Sequence, residues 1–530
     1  MAERRLKFWG WGYDDERVTV DERKALRAFY AGRFGVDGFS ETPEPRLEEF
    51  ELPAPRLAPP AALAGICSSD PHDRLVHALG KSFPDTVRMF ARQVPNLPDV
   101  VAFPNSEEEV VRVLDWADGA SAAVIPFGGG SSVVGGVEAA VGGDFKGVVT
   151  LSMVGLDKIV EIDRLSRAAR IQAGIRGPAL EAQLKPHGLT LRHFPQSFEL
   201  ATLGGWIATR SGGHYATLYT HIDDFVESLR AITPAGSMES RRLPGSGAGP
   251  SPDRMLIGSE GALGVITEAW MRLQDRPSFR ASASVGFKDF FAGAKAVRAL
   301  VQSGLNPGNC RLIDATEALV TQVNDGSQHV LVLGFESADH PVDDRMARAL
   351  EIVRDFGGNV ADDEAAGDNR AGAVGAWRQA FLRMPYYREV LTGWGIIFDT
   401  FETAITWDRF EEFHAGVMAR VQAALAEVSG SPGTITCRFT HVYADGPAPY
   451  YSFHCLGRQD SLLDQWWTLK RAASDAVIDL GGTITHHHAV GRDHMPWYER
   501  QRPPLFGAAL KAAKGALDPN GILNPGVLVP

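Results

Sequence analysis

Three segments rich in glycine and small hydroxyl residues, all between positions 126 and 267, most constrain what this chain can fold into. The first is Pro126-Phe127-Gly128-Gly129-Gly130-Ser131-Ser132, directly after the apolar run Ala122–Pro126. Glycines there let backbone N–H groups approach a pyrophosphate without a Cβ in the way. The loop is not GxGxxG and has no Lys-Ser/Thr ending, so it matches neither a Rossmann turn nor a Walker loop. The second is Gln196-Ser197-Phe198-Glu199-Leu200-Ala201-Thr202-Leu203-Gly204-Gly205-Trp206, continuing to Thr209-Arg210-Ser211-Gly212. It has no amphipathic period, and a long loop inside a compact domain more often serves function than not. The third is Gly258-Ser259-Glu260-Gly261-Ala262-Leu263-Gly264-Val265-Ile266-Thr267. Alone, each reads as a tight turn or a surface loop. Three in one domain form a far more specific pattern, a set of cofactor cradles.

The surrounding pattern alternates strand and helix. Ser106-Glu107-Glu108-Glu109 predicts a capping box, and Val110, Val111, Val113, Leu114 and Ala117 follow at helical spacing. Strands are expected at Ala122–Pro126, Gly147–Leu151, Ala168–Ala173, Asp224–Thr233 and Leu263–Leu273, with a helix near Pro178–His187. Past Pro277 the pattern changes. Strands at Ser282–Phe287, Val330–Phe335 and Ser452–Cys455 alternate with helices near Phe290–Ser303, Val342–Phe356, Trp407–Val428 and Ser461–Leu480. Helices that can cover one face of a sheet imply an α+β, ferredoxin-like cap. The expected division is 1–95 as N-terminal extension, proline-rich linker and helical preface, 96–275 as cofactor domain, 276–485 as cap, and 486–530 returning to the first domain.

With 530 residues, 44% hydrophobic and 22% charged, the chain has ordinary globular composition. A formal net charge of −12 argues against nucleic acid as a partner. Cys67, Cys310, Cys437 and Cys455 include no CxxC, so neither a zinc site nor a disulfide framework is expected. No apolar h-region follows Met1-Ala2-Glu3-Arg4-Arg5, no run approaches the ~18 residues that span a bilayer, and the tail carries no Ser-Lys-Leu. A cytoplasmic, homodimeric protein without transmembrane segments is expected, with peripheral membrane contact left open.

Near the C-terminus, His486-His487-His488 sits between Gly481-Gly482 and Gly491. Neighbours on a strand point to opposite faces, so adjacent histidines there make a poor chelate; no metal is expected. A hydrogen-bonded structural role is the plain alternative for any one of them.

With these segments, the chain resembles the vanillyl-alcohol oxidase-type flavoproteins, and within them the alkyldihydroxyacetonephosphate synthase family. Pro71–Gly80, Pro126–Ser132, Thr202–Arg210, Gly258–Thr267 and His486–His488 carry the resemblance, which covers roughly residues 70–530. It implies an FAD-binding domain with an α+β cap. FAD contacts would come from Pro126–Ser132, Gln196–Thr202, Thr209–Gly212 and Ser259–Val265. Ser131 stands where some oxidases of the superfamily carry a flavin-linking histidine, so FAD would be non-covalent. Tyr450 would match the family's tyrosine acid, and Arg388 its substrate-binding arginine, in a register supported by Phe401-Glu402-Thr403-Ala404 and Trp407-Asp408-Arg409. Arg311 would have a supporting or phosphate role. Plainer readings are strand aromatics for Tyr450 and an ion pair with Glu389 or another acid for Arg388. Flavin 2-hydroxy-acid dehydrogenases have Gly-Glu-His where this chain has His486-His487-His488; that glutamate, with a His-x6-His pair, can hold a metal. Here only His441 of that pair remains, its partner being replaced near Tyr450.

The implied activity is a transferase. It would exchange the acyl group of an acyl-dihydroxyacetone phosphate for a fatty alcohol through a flavin N5 adduct, with His486, His487, His488 and Tyr450 handling protons. The alternative is an FAD-linked oxidoreductase acting on a hydroxy acid or alcohol.

Overall fold

The computed structural model describes residues 4–360, 372–430 and 433–529. Among these residues the strands form sheets of four, five and seven strands and one two-stranded pair. In the four-stranded sheet Val100–Ala102, Gly147–Ser152 and Ala122–Phe127 run parallel, with Cys67–Ser68 antiparallel at the edge. Its parallel strands are fully buried apolar runs, such as Ala122–Ile125, as parallel strands covered on both faces require. The first glycine loop leaves the end of Ala122–Phe127. The five-stranded sheet is antiparallel, in the order Ile159–Asp163, Ala168–Gln172, Val265–Arg272, Val226–Thr233 and Gly236–Glu239.

The helix Glu107–Gly119 begins as expected, with the Glu109 N–H donating to Ser106 Oγ at 3.3 Å. The capping box itself is only half formed, because the Glu109 carboxylate takes the Asn105 N–H at 2.7 Å instead of reaching back to Ser106. Far downstream, residues Ile522–Asn524 lie against the first sheet. The Val124 N–H donates to Ile522 O at 2.7 Å and the Asn524 N–H to Val124 O at 2.8 Å. The Asn524 amide then donates to Gly136 O and Glu260 O.

The seven-stranded antiparallel sheet has the order Asn359–Val360, Phe279–Phe287, His329–Ser337, Asn309–Ile313, Thr434–Val442, Pro447–Leu456 and Ile396–Glu402. Four helices, Phe290–Gln302, Asp343–Asp355, Trp407–Ser429 and Leu462–Asp479, cover one face of it. Leu300, Val353, Val417 and Trp466 from the helices share a single core with Leu312, Cys437, Phe439, Tyr451 and Phe453 from the strands. The Leu, Val and Phe side chains among them each contribute about 1.5–3 kcal/mol by leaving water. The intervening positions Arg311, Arg438, Tyr450 and Thr400 point to the other face, as the two-residue period of a strand dictates, and there they line a cavity. The register shifts between Phe439 and His441. Such an irregularity re-aims a side chain, and here Thr440 and His441 both line the cavity.

Two features differ from the sequence reading. A helix, Gly372–Gly393, occupies a stretch given no element there, and it contains Pro385. The N-terminal segment is built into the molecule. Lys7 forms an ion pair with Glu389 at 2.7 Å in which both side chains are buried, and Gly10 and Trp11 reach the cavity. Among the described residues, no helix is long and apolar enough to cross a membrane.

Candidate active site

The cavity runs between the glycine loop and the polar face of the seven-stranded sheet. One end is walled by Gly128–Ser132 with Gln196, Ser197, Ala201, Thr202, Thr209, Ser211 and Gly212. The first two cradles meet by direct backbone packing. A Cβ on Gly128 would sit 2.2 Å from Thr202 Oγ1, and one on Gly129 would sit 1.9 Å from Leu200 O. No other residue type allows that approach. The third segment lies behind this wall: its Ser259–Val265 are buried and none of them lines the cavity. Gly261 packs on Pro126, and Glu260 accepts the N–H groups of Val490 and Gly491 at 2.9 and 2.8 Å, tying down the chain just after the histidine run. Burial pushes the Glu260 carboxyl up to about 7, against the pull of those two N–H groups. Pro126, Phe127, Phe198, Glu199, Leu200 and Arg210 also fall outside the cavity lining. Arg210 pairs instead with Asp223 at 2.9 Å, and Glu199 accepts from the Tyr386 hydroxyl.

At the opposite wall the histidine run separates into two parts. His487 and His488 line the cavity, while His486 does not. The run is a bend after the helix Leu462–Asp479, not a strand. The cause is Glu402, at the end of Ile396–Glu402. Its buried carboxylate accepts the backbone N–H groups of His486, His487 and His488 and the Thr485 hydroxyl, at 2.5, 3.2, 2.9 and 2.6 Å. Burial alone would raise this carboxyl. The imidazoles of His488 and His486 and the donors from Thr485 and His487 outweigh it and hold it down at about 2. Burial pulls His488 below the usual imidazole range in spite of Glu402, so its ring is neutral near pH 7.

The bend overturns the strand-based objection to a chelate. His441, His486 and His487 bring ring nitrogens within 4.8 Å of one another. These nitrogens are engaged in hydrogen bonds. His441 contacts Gly213 O at 2.9 Å and Thr440 Oγ1 at 3.2 Å. His486 contacts the Tyr443 hydroxyl at 2.6 Å and His221 at 3.2 Å through one nitrogen, and His487 at 3.0 Å through the other.

Tyr450 lines the cavity between these histidines and two arginines. Its hydroxyl donates to Thr400 Oγ1 at 2.9 Å. Its ring lies edge to face with His488, centroids 5.5 Å apart, and the Arg438 guanidinium sits 3.9 Å from its ring centroid on a face. Burial raises the phenol above its ordinary value and Arg438 opposes that rise, so the hydroxyl holds its proton at neutral pH. Arg438 forms a buried ion pair with Glu317. Sequence reasoning missed both Arg438 and Glu402. The alternation Cys437/Phe439 against Arg438/Thr440 was the one signal that could have assigned Arg438 to the polar face.

Arg388 lines the cavity from the helix Gly372–Gly393. Its acidic partner is Asp399, at 3.2 Å, and a second nitrogen donates to Lys81 O at 2.7 Å. Glu389 is taken by Lys7. Arg311 is buried, donates to His214 O at 3.1 Å, and lines the same cavity. Burial, with Arg438 nearby, pulls it below the ordinary guanidinium range.

The lining at this end fits an anionic cofactor: close backbone approach at Gly128 and Gly129 serves a pyrophosphate, and Ser131, Ser132, Ser197, Thr202 and Thr209 stand around it.

Comparison with known proteins agrees with this geometry. Residues 98–240 match the family model for an FAD binding domain, and residues 276–528 match that for the C-terminal domain of FAD linked oxidases. An alkyldihydroxyacetonephosphate synthase from Dictyostelium discoideum is 29% identical over 98% of this chain and 85% of its own length. A solved structure of an alkyldihydroxyacetonephosphate synthase superposes with a TM-score of 0.81 at 26% identity, covering 98% of this chain and 97% of that one. An uncharacterised FAD-linked oxidoreductase of Escherichia coli, YgcU, is 28% identical over 85% of this chain and 92% of its own length.

Proposed function

We propose a function for this chain from its family, since it belongs to the alkyldihydroxyacetonephosphate synthases, FAD-dependent enzymes of the vanillyl-alcohol oxidase-type fold. The chain exchanges the acyl group of an acyl-dihydroxyacetone phosphate for a fatty alcohol, releasing a fatty acid and leaving an ether, with no net redox change. The single observation that supports this best is one cavity joining the glycine cradle to Arg388, Tyr450 and His488, in a chain that aligns along nearly its whole length with such synthases.

Gly128–Ser132 with Gln196, Ser197, Ala201, Thr202, Thr209, Ser211 and Gly212 would hold FAD, with Ser259–Val265 supporting that wall from behind; when bound and reduced, the flavin would supply a nucleophilic nitrogen. Every other part falls to the chain. Arg388, with Arg311 in support, binds the phosphate, since a guanidinium offers planar, charge-assisted donors to such an oxyanion. The neutral imidazole of His488 accepts a proton from the substrate carbon next to the ester oxygen. Tyr450, protonated and beside Arg438, returns one; the cation stabilises negative charge on its oxygen. His487, which also lines the cavity, and His486 behind it extend the proton-handling row. We take 1–95, 96–275, 276–485 and 486–530 as the working domains, the protein as a cytoplasmic homodimer, and the FAD as non-covalent because Ser131 cannot make the link that a histidine can.

The deciding assay incubates the holoenzyme with acyl-dihydroxyacetone phosphate and labelled hexadecanol. Label incorporated into an ether, with fatty acid released in equal amount, is expected. Anaerobic bleaching of the flavin by a hydroxy acid or alcohol, without ether formation, overturns the synthase reading in favour of an oxidoreductase. Acid precipitation is expected to release all the flavin into the supernatant; yellow colour held in the pellet defeats the argument from Ser131.

Arg388→Ala is expected to weaken binding of the phosphorylated substrate by about 2–5 kcal/mol, the usual result of removing one partner of a desolvated charge pair. Arg388→Lys restores part of it, because an ammonium lacks the planar fork. Equal substrate dissociation constants for wild type and Arg388→Ala, measured by calorimetry, would reduce this side chain to a structural partner of Asp399.

A further inference from the structure

Lys81 stands at the cavity wall between the two anion-binding elements. Its backbone N–H donates to Ser132 O, at the end of the glycine loop, at 2.6 Å. Its carbonyl oxygen accepts from Arg388 at 2.7 Å. Lys81 lines the cavity, and its ammonium donates to Lys7 O at 3.1 Å. No carboxylate lies within 4.0 Å of that ammonium among the described residues. The charged groups acting on it are Asp85, Glu389 and Lys7. Both acids are committed elsewhere, Asp85 to the Ser82 N–H and Arg88, and Glu389 to Lys7 and the Trp11 N–H. Burial, against the weaker pull of Asp85 and Glu389, brings Lys81 down to about 8. A cation kept in such a place without an ion-pair partner is costly unless something anionic joins it.

We propose that Lys81 is a phosphate-binding residue of this cavity, its ammonium completing with Arg388 the counter-charge for a phosphate oxyanion. The two sources of that group are the pyrophosphate of FAD and the phosphate monoester of the substrate. This rests on the assignment of the cavity to FAD and a phosphorylated substrate. The geometry of the carbonyl and N–H links makes Lys81 the element that couples the cofactor loop to the substrate arginine.

The test compares wild type, Lys81→Met and Lys81→Arg. Flavin affinity is measured by recovery of FAD fluorescence. FAD-loaded protein is then titrated by calorimetry with dihydroxyacetone phosphate and with uncharged dihydroxyacetone. A loss of about ten-fold or more in FAD affinity for Lys81→Met assigns the cofactor pyrophosphate. A comparable loss confined to dihydroxyacetone phosphate, with dihydroxyacetone unchanged and Lys81→Arg restoring part, assigns the substrate. Unchanged affinity for both anions overturns the inference alone. Wild type that binds neither overturns the site assignment with it. If Lys81→Met does not fold, wild type carries the test: affinity for one of the two anions falls as pH rises through about 8, because the amine loses its charge. Flat profiles for both overturn the inference.

Discussion

His488→Ala is expected to keep its fold and its FAD and to lose the chemical step by about 10²-fold or more, the usual contribution of a positioned proton-transfer group. Its imidazole lines the cavity, is neutral, and packs against the Tyr450 ring. Tyr450→Phe deletes one hydroxyl, bonded to Thr400 Oγ1, and keeps the ring that Arg438 and His488 rest on, so it removes the proton donor without opening a void. In the ether-forming assay both variants should lose turnover, with substrate binding retained. Should both retain wild-type turnover while flavin content is intact, the proton-handling site lies elsewhere and only the cofactor assignment survives. The two changes are in contact, so their effects should not add. A double variant little worse than His488→Ala marks one shared step.

The second large effect belongs to a residue that need not touch substrate. Glu402→Ala leaves the His486 and His487 N–H groups and the Thr485 hydroxyl without their buried acceptor, and the His488 N–H with Thr485 Oγ1 alone. Each orphaned donor costs about 1–3 kcal/mol, so a loss of at least about 3 kcal/mol of stability is expected, together with turnover. Glu402→Gln keeps one acceptor oxygen but turns an amide donor toward N–H groups, and should fall between. Urea midpoints of the FAD-loaded proteins measure this; a midpoint for Glu402→Ala equal to wild type refutes it. The pH dependence has a definite sign. The carboxyl is lower in the folded chain than in the unfolded one, so its stabilisation is present above the ordinary carboxyl range. It is lost as pH falls toward about 2.

The parts of this site that were legible in the sequence are those whose meaning is local. Gly128 and Gly129 announce a backbone approach wherever they lie, and the period of Trp407–Ser429 announces a helix with a buried face. The class of fold and the cofactor followed from such segments. What stayed hidden depends on partners far away in the chain. Nothing around Glu402 says that it will hold a bend 84 to 86 positions later, and without that carboxylate the histidines read as a strand. Arg438 was hidden in a run whose two-residue period is easily taken for a wholly buried strand, since both of its faces are enclosed. The third cradle shows the opposite failure. Its composition marks it as special, yet Ser259–Val265 stand behind the cavity wall, where small residues allow Gly261 to press on Pro126. Lys7 and Trp11 lie in a segment with no recognisable pattern, and only packing against the helix Gly372–Gly393 gives them a place.

The seating of Ile522–Asn524 against Val124 has a consequence for synthesis on the ribosome. The strand Ala122–Phe127, from which the glycine loop springs, emerges long before the groups that bond Val124. Asn524, which ties Gly136 to Glu260, arrives with them. Until Ile522–Asn524 have been made, the cofactor loop therefore hangs from an unfinished edge.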